Sequence, residues 1–94
     1  MTDETVRLTA RITGVVQGVG FRYWTARKAD ELYLKGTVRN STDGSVELVA
    51  EGEVGNVSDF TDWLHSSRVP GQVADVEFQV SEATGAFDDF RIID

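Results

Sequence analysis

The sequence predicts an α+β fold: an antiparallel sheet with two helices packed on one of its faces. Three observations predict it. Several segments alternate apolar and polar residues with the period of two that marks a half-buried strand. Two others space their apolar residues by three and four, as one face of a helix does. The segments follow one another as β-α-β-β-α-β plus a short terminal strand, an order that sorts strands and helices into two layers.

Taken from the N-terminus, Val6, Leu8, Ala10 and Ile12 alternate with Arg7, Thr9, Arg11 and Thr13, which reads as a strand with one apolar face. A loop follows, Gly14-Val15-Val16-Gln17-Gly18-Val19-Gly20, with three glycines in seven residues. Over residues 21–34 the period changes: Phe21, Thr25, Ala29 and Leu32 make one helix face, and Arg27, Lys28, Asp30 and Glu31 fill the other. Basic residues precede acidic ones in this helix, the less favourable order for its dipole, so Arg22 at its start wants a separate explanation. Gly36 to Asn40 and Ser45 to Glu53 read as two strands, and Ser41-Thr42-Asp43-Gly44 between them holds the Asp-Gly pair of tight hairpins. Residues 57–67 make a second helix with Val57, Phe60 and Leu64 inward; Asn56 or Ser58 is its candidate cap, and Asp59 and Asp62 complement its positive end. Pro70-Gly71 ends that segment. Val76, Phe78 and Val80 then alternate as a strand, and Phe90 and Ile92 mark a short last one. The order is that of a ferredoxin-like two-layer α/β sandwich.

Ninety-four residues fit one domain, expected to span 1–94. Without cysteine there are no disulfides, no thiolate metal site and no cysteine nucleophile. No apolar run approaches the ~20 residues that cross a bilayer. The opening Met1 to Thr5 is acidic and lacks a hydrophobic stretch, so no signal peptide and a cytoplasmic location are expected. The net charge is −7, and all nine basic residues except Lys28 and Lys35 are arginine. Such a balance disfavours general binding to nucleic acid or anionic membrane.

The chemistry has few places to sit. His65 is the only histidine, and beside no cysteine it cannot assemble a metal cluster; it reads as a surface residue near a helix C-terminus. The glycine-rich loop is the informative segment. Between a strand and a helix, glycines let successive N–H groups turn inward around an anion, and the helix adds its positive end at the same place. Arg22 on the first turn can offer a planar fork to phosphate oxygens. A tight-turn explanation of the same glycines remains open on these grounds. The loop lacks the Gly-Lys-Ser/Thr ending of a nucleotide P-loop.

Gly14 to Arg22, as the run Gly-Val-Val-Gln-Gly-Val-Gly-Phe-Arg, resembles the first acylphosphatase signature. Gly36 to Glu47, as Gly-Thr-Val-Arg-Asn-Ser-Thr-Asp-Gly-Ser-Val-Glu, resembles the second. The likeness covers essentially the whole chain. It implies a cofactor-free, metal-independent hydrolase that cleaves the carboxyl–phosphate anhydride of a small-molecule acyl phosphate. It also implies a phosphate-binding Arg22, a water-orienting Asn40, and a cradle of backbone amides from Val16, Gln17, Gly18, Val19, Gly20, Phe21 and Arg22. Two departures stand out: Thr37 where the family usually has a bulky aromatic, and Tyr33 where it often has glycine.

The alternative reading is a non-catalytic phosphate or phosphometabolite sensor, which would not need Asn40. An RNA-binding module wants paired aromatics and a basic face on its central strands, where this chain has Thr37 and Arg39. A monomer is the default for so small and acidic a domain. The acidic surface itself has two readings, ordinary solubility charge or adaptation to high salt, where screening relieves repulsion among carboxylates. A denaturation series from low to molar salt separates them: the midpoint rises under salt adaptation and stays level otherwise.

Overall fold

The computed structural model describes residues 4–94; the acidic opening Met1–Asp3 lies outside them. Seven elements follow in order: β1 (Thr5–Val15), α1 (Phe21–Glu31), β2 (Lys35–Asn40), β3 (Val46–Glu53), α2 (Val54–Leu64), β4 (Gln72–Glu82) and β5 (Phe90–Ile93). They form one five-stranded sheet in the order β4-β1-β3-β2-β5. The pairs β1–β3, β1–β4 and β2–β3 are antiparallel as expected. The short terminal strand differs: β5 joins the edge of β2 in parallel, pairing Gly36 with Phe90 and Val38 with Ile92. The Gly36 N–H starts that ladder by donating to the Asp89 carbonyl at 2.8 Å.

The core lies between the helices and one face of the sheet. In register, Leu8 opposes Ala50 and Ala10 opposes Leu48, so the apolar positions of neighbouring strands share that face. Leu8, Ile12, Phe21, Leu48, Phe60 and Leu64 are fully buried there. Phe60 stacks on Trp63 and meets Phe90 edge-on. Each such side chain contributes roughly 1.5–3 kcal/mol by leaving water. At the β4 edge the cover runs out: Phe78 and Val80, opposite Ala10 and Leu8, stand about half exposed.

The strand and helix ends depart from the periodicity in ways the backbone explains. Gly14 and Val15 belong to β1, which shifts register between Thr13 and Gly14 and goes on to pair with Val73 and Gln72. Helix α2 starts at Val54, three residues before the expected 57, because β3 runs straight into it with Glu53 as cap residue. Glu53 offers no side-chain hydrogen bond, and the Val54 N–H instead donates to the Glu4 carbonyl at 2.9 Å. Asn56 and Ser58 therefore lie inside the helix and cap nothing, and Asp59 and Asp62 sit past its first turn, out of reach of the positive end. The helix closes at Leu64 rather than 67, where the His65 N–H returns to the Thr61 carbonyl at 3.2 Å.

Helix α1 ends at Glu31, three residues before the pattern suggested. Tyr33 takes φ 58, alone among the described non-glycine residues in having positive φ. The Leu34 N–H donates to the Ala29 carbonyl at 2.9 Å and the Tyr33 N–H to the Asp30 carbonyl at 3.1 Å. That bond pair is a Schellman closure, with buried Leu34 folded back toward Ala29 and Tyr33 at the position glycine normally fills. A Cβ there costs about 1–2 kcal/mol, partly offset by glycine's larger loss of chain entropy.

Getting from β4 at one edge to β5 at the other requires the chain to cross the helix-free face, and Glu51 holds it there. Glu51 is 6% exposed and accepts from Arg7 Nε at 2.7 Å and from Thr84 N, Thr84 Oγ1 and Gly85 N at 3.0 Å each. Burial pushes its pKa up, but these donors outweigh it and hold the carboxyl at about 2, below the ordinary 4.5.

Tyr33→Gly relieves the left-handed strain at an 83% exposed side chain that packs on little. It should raise stability by about 0.5–1 kcal/mol and the Tm by a few degrees; calorimetry reads this directly. Because the Glu51 pKa is depressed on folding, its stabilisation is complete above pH 4.5 and is lost as pH falls toward 2. Glu51→Gln should lower the urea midpoint at pH 7, and the gap from the parent should close between those two values.

Candidate active site

Strand β1 delivers the chain to the loop Val16–Gly20, and the loop turns twice through left-handed backbone before the helix begins. Gly18 has φ 75 and Gly20 φ 79, ψ 11, conformations that a side chain would strain. Gly20 is the residue before α1, and no side chain caps the helix there. The first intrahelical bond runs from the Trp24 N–H to the Gly20 carbonyl at 3.1 Å. The N–H groups of Phe21, Arg22 and Tyr23 thus point out of the helix end without an intrahelical acceptor. Nor does the first turn carry an acidic side chain to satisfy them.

A cleft of about 180 Å³ opens at this helix end. Val16, Gly18, Gly20, Phe21, Arg22, Tyr23, Asn40 and Ile92 line it. Arg22 and Asn40 are eighteen positions apart in sequence, and the fold puts both on one small concavity. Asn40 ends β2 on the same face as buried Val38, the face α1 covers. Its Oδ1 is buried and has no hydrogen-bond partner among the described residues. A buried amide oxygen without a donor is costly, and ordered water is its natural partner.

Arg22 is partly buried and makes no ion pair with a described carboxylate. The contrast with its neighbours is sharp. Arg7 pairs with Glu51, Arg11 with Asp43, Arg39 with Glu47 and Arg91 with Asp89. Arg27 lies over the Trp24 ring. In a chain of net charge −7, a partly buried guanidinium left without a carboxylate is placed to receive an anion from outside.

Of the residues expected in the cradle, Val16, Gly18, Gly20, Phe21 and Arg22 line the cleft, whereas Gln17 and Val19 do not. Gln17 turns its side chain away and donates Nε2 to the Ser41 carbonyl at 2.8 Å and the Ser45 carbonyl at 2.9 Å. It fastens the loop to the β2–β3 turn. That turn is braced by Asp43, which accepts from the Ser45 hydroxyl at 2.6 Å, the Ser45 N–H at 3.0 Å and the Arg11 guanidinium. These donors, Ser45 first and then Arg11, hold the Asp43 carboxyl well below its ordinary pKa. Tyr23 and Ile92 also line the cleft, a place the sequence reading gives to neither. Tyr23 could have been found as Arg22's neighbour on an uncapped first turn; Ile92 reaches the cleft only through the parallel pairing of β5.

The two departures lie away from the cleft. Tyr33 is past the far end of α1, and Thr37 stands on the helix-free face opposite Val49. His65, at the end of α2, bonds through Nδ1 to the Thr61 carbonyl at 2.8 Å and is exposed. Among the described residues no three His, Asp or Glu side chains gather as metal ligands would. No helix among them is long and apolar enough to cross a membrane. The helix-free face is not basic, because Arg11 and Arg39 there are matched by Asp43 and Glu47.

Comparison with known proteins agrees with this geometry. The acylphosphatase family model matches residues 8–92. An acylphosphatase of Paenarthrobacter aurescens (strain TC1) is 80% identical over 94 residues, covering 100% of both chains. The solved acylphosphatase of Coxiella burnetii superposes with a TM-score of 0.86 at 35% identity, covering 96% of this chain and 94% of that one. For that of Bacillus subtilis the TM-score is 0.85 at 32% identity, with 94% and 98% covered. Sequence, fold and two signatures converging on one cleft leave a single assignment: the chain belongs to the acylphosphatase family.

Proposed function

We propose that Arg22 and the amides around it bind the phosphoryl group of an acyl phosphate, and that Asn40 orients the water that attacks it. The observation that supports these roles is the pairing, in one cleft, of an unmatched guanidinium with the unpartnered Oδ1 of Asn40. The enzyme hydrolyses acyl phosphates as its family does; the assignment of individual roles is ours. The fork of Arg22 takes two phosphate oxygens, and the N–H groups at the start of α1 take the third. Asn40 Oδ1 accepts a hydrogen from water held in line with the leaving group.

Few groups suffice because the leaving group is good. A departing carboxylate has a pKa near 4 and needs no strong general acid. Phosphoryl transfer passes through a loose transition state, so positioning and charge stabilisation carry most of the rate. Asn40 cannot deprotonate the water, having no basic group near neutral pH. A phosphate oxygen of the substrate takes that proton, and no metal is required. A non-catalytic sensor is the weaker reading, since it gains nothing from Asn40 Oδ1. A cytoplasmic monomer remains the expected form, in keeping with a small acidic domain.

Turnover of benzoyl phosphate in the presence of EDTA, alongside inhibition by inorganic phosphate, tests this assignment. Arg22→Ala should lose on the order of 10³-fold in activity and lose phosphate inhibition. Arg22→Lys should not recover it, a point charge being no substitute for the fork. Asn40→Ala should cut kcat by about 10²-fold while phosphate still inhibits at its parental level. Loss of phosphate inhibition in Asn40→Ala, or a need for added metal in the parent, would sink the scheme.

A further inference from the structure

The cleft has a second end, and its chemistry differs from the first. Arg22 is the one charged residue lining it, and Asn40 the one amide side chain. The remaining side chains are Val16, Phe21, Tyr23 and Ile92. Val16 and Phe21 are buried in the core and reach the cleft only as its floor. Tyr23 and Ile92 line it too and are 53% and 45% exposed. They come from different elements, the first turn of α1 and the last strand.

Tyr23 is also braced. Its ring meets Trp24 edge-on at 5.3 Å, and Arg27 Nη1 donates to its hydroxyl at 3.4 Å while the guanidinium lies over the Trp24 ring at 5.7 Å. An aromatic side chain held by two neighbours yet half exposed beside a reaction site offers a rigid face at little entropic cost.

We infer that Tyr23 and Ile92 are specificity-determining residues that receive the acyl group, and that the enzyme favours apolar acyl phosphates, aromatic ones above all, over charged or very small ones. The inference rests on the acyl-phosphate reading of this same cleft. Once the phosphate is on Arg22, the acyl part extends from the cradle toward solvent, and the exposed apolar side chains of the lining are Tyr23 and Ile92. An apolar acyl group covers surface that is otherwise wet. A carboxylate on the acyl group finds no cation among the lining residues except Arg22, already engaged by the phosphate, and an ammonium finds no anion there at all. An aromatic contact of ordinary strength is worth up to about tenfold in affinity.

Binding of two non-hydrolysable phosphonates, measured by calorimetry, tests this apart from catalysis. The parent should bind benzylphosphonate about tenfold more tightly than methylphosphonate. Tyr23→Ala keeps the backbone N–H of the cradle and should shrink that gap to about twofold; Ile92→Ala should shrink it in part, and Tyr23→Phe should retain it. A parent without the gap, variants that leave it untouched, or variants that weaken both phosphonates equally would each overturn the inference. Failure of the catalytic reading shows separately, as absent turnover of benzoyl phosphate with the phosphonate pattern intact.

Discussion

Two carbonyl oxygens, those of Ser41 and Ser45, hold the side-chain amide of Gln17 at 2.8 and 2.9 Å. Through that amide they fix how far the anion cradle stands from the end of β2. The loop belongs to the β1–α1 connection and Asn40 to β2, and the turn after β2 receives the amide. No other side chain of the loop makes a hydrogen bond to that turn among the described residues. A loop rich in left-handed glycine is flexible when free, and each glycine gives up more conformational freedom on folding than any other residue. The double contact compensates by tying the loop at its middle to a strand end that is itself ordered by the sheet. Catalysis by positioning tolerates little slack, so a fastening of this kind is as necessary as the groups it positions.

The electrostatics resolve an apparent conflict between an acidic protein and an anionic substrate. At long range a net charge of −7 repels a dianion, but the repulsion is screened beyond about 8–10 Å at moderate salt. Within the cleft the balance is local. Arg7, Arg11, Arg39 and Arg91 are committed to Glu51, Asp43, Glu47 and Asp89, Arg27 and Arg68 stand exposed, and Arg22 alone is partly buried with no described carboxylate against it. Carboxylates at the surface and donors at the helix end therefore do not cancel. The same pairing leaves the helix-free face with matched charges, unlike the basic face that nucleic-acid binding calls for.

How much of this was legible in the sequence depended on the range of the interaction. Local rules read β1, the Asp-Gly hairpin and the glycine-to-arginine junction, because alternation and left-handed backbone leave direct marks on residue type. The resemblance to the family added Asn40, which no periodicity singles out, and joined it to an Arg22 already marked by its place after the glycine loop. Misreadings came where a distant contact overrode a local one. Helix α2 was placed three residues late because β3 runs into it without the loop that a cap residue would mark. Alternation at Val76, Phe78 and Val80 marked a strand correctly, yet two of the three are half exposed, because only the end of α2, through His65 against Phe78, reaches that edge. Nothing local marks Glu51, whose carboxylate is held by donors from Thr84 and Gly85 more than thirty residues away. Ile92 enters the cleft through a parallel pairing between segments more than fifty residues apart.

The placement of strain within α1 carries a last consequence. The helix is eleven residues long, about 16 Å from end to end. Its N-terminus is the cradle, left uncapped so that its amides remain available; its C-terminus is fully closed by the bonds to Ala29 and Asp30. With Gly20 at the cap position the uncapped end forgoes only a few tenths of a kcal/mol of helix stability. Closing the far end with Tyr33 forgoes more, about 1–2 kcal/mol before the entropy offset, and for a different reason. On the proposed roles the first cost belongs to the reaction, since any side chain that satisfied those N–H groups would compete with phosphate for them. The second touches nothing in the cleft. Stability and binding are thus separable along this one helix: its two ends sit a full helix length apart and share only the buried stripe of Phe21, Thr25 and Ala29 between them. A fold this small can keep its site under-capped because the compensation is drawn from that stripe and from the sheet beneath it, not from the turn where the substrate binds.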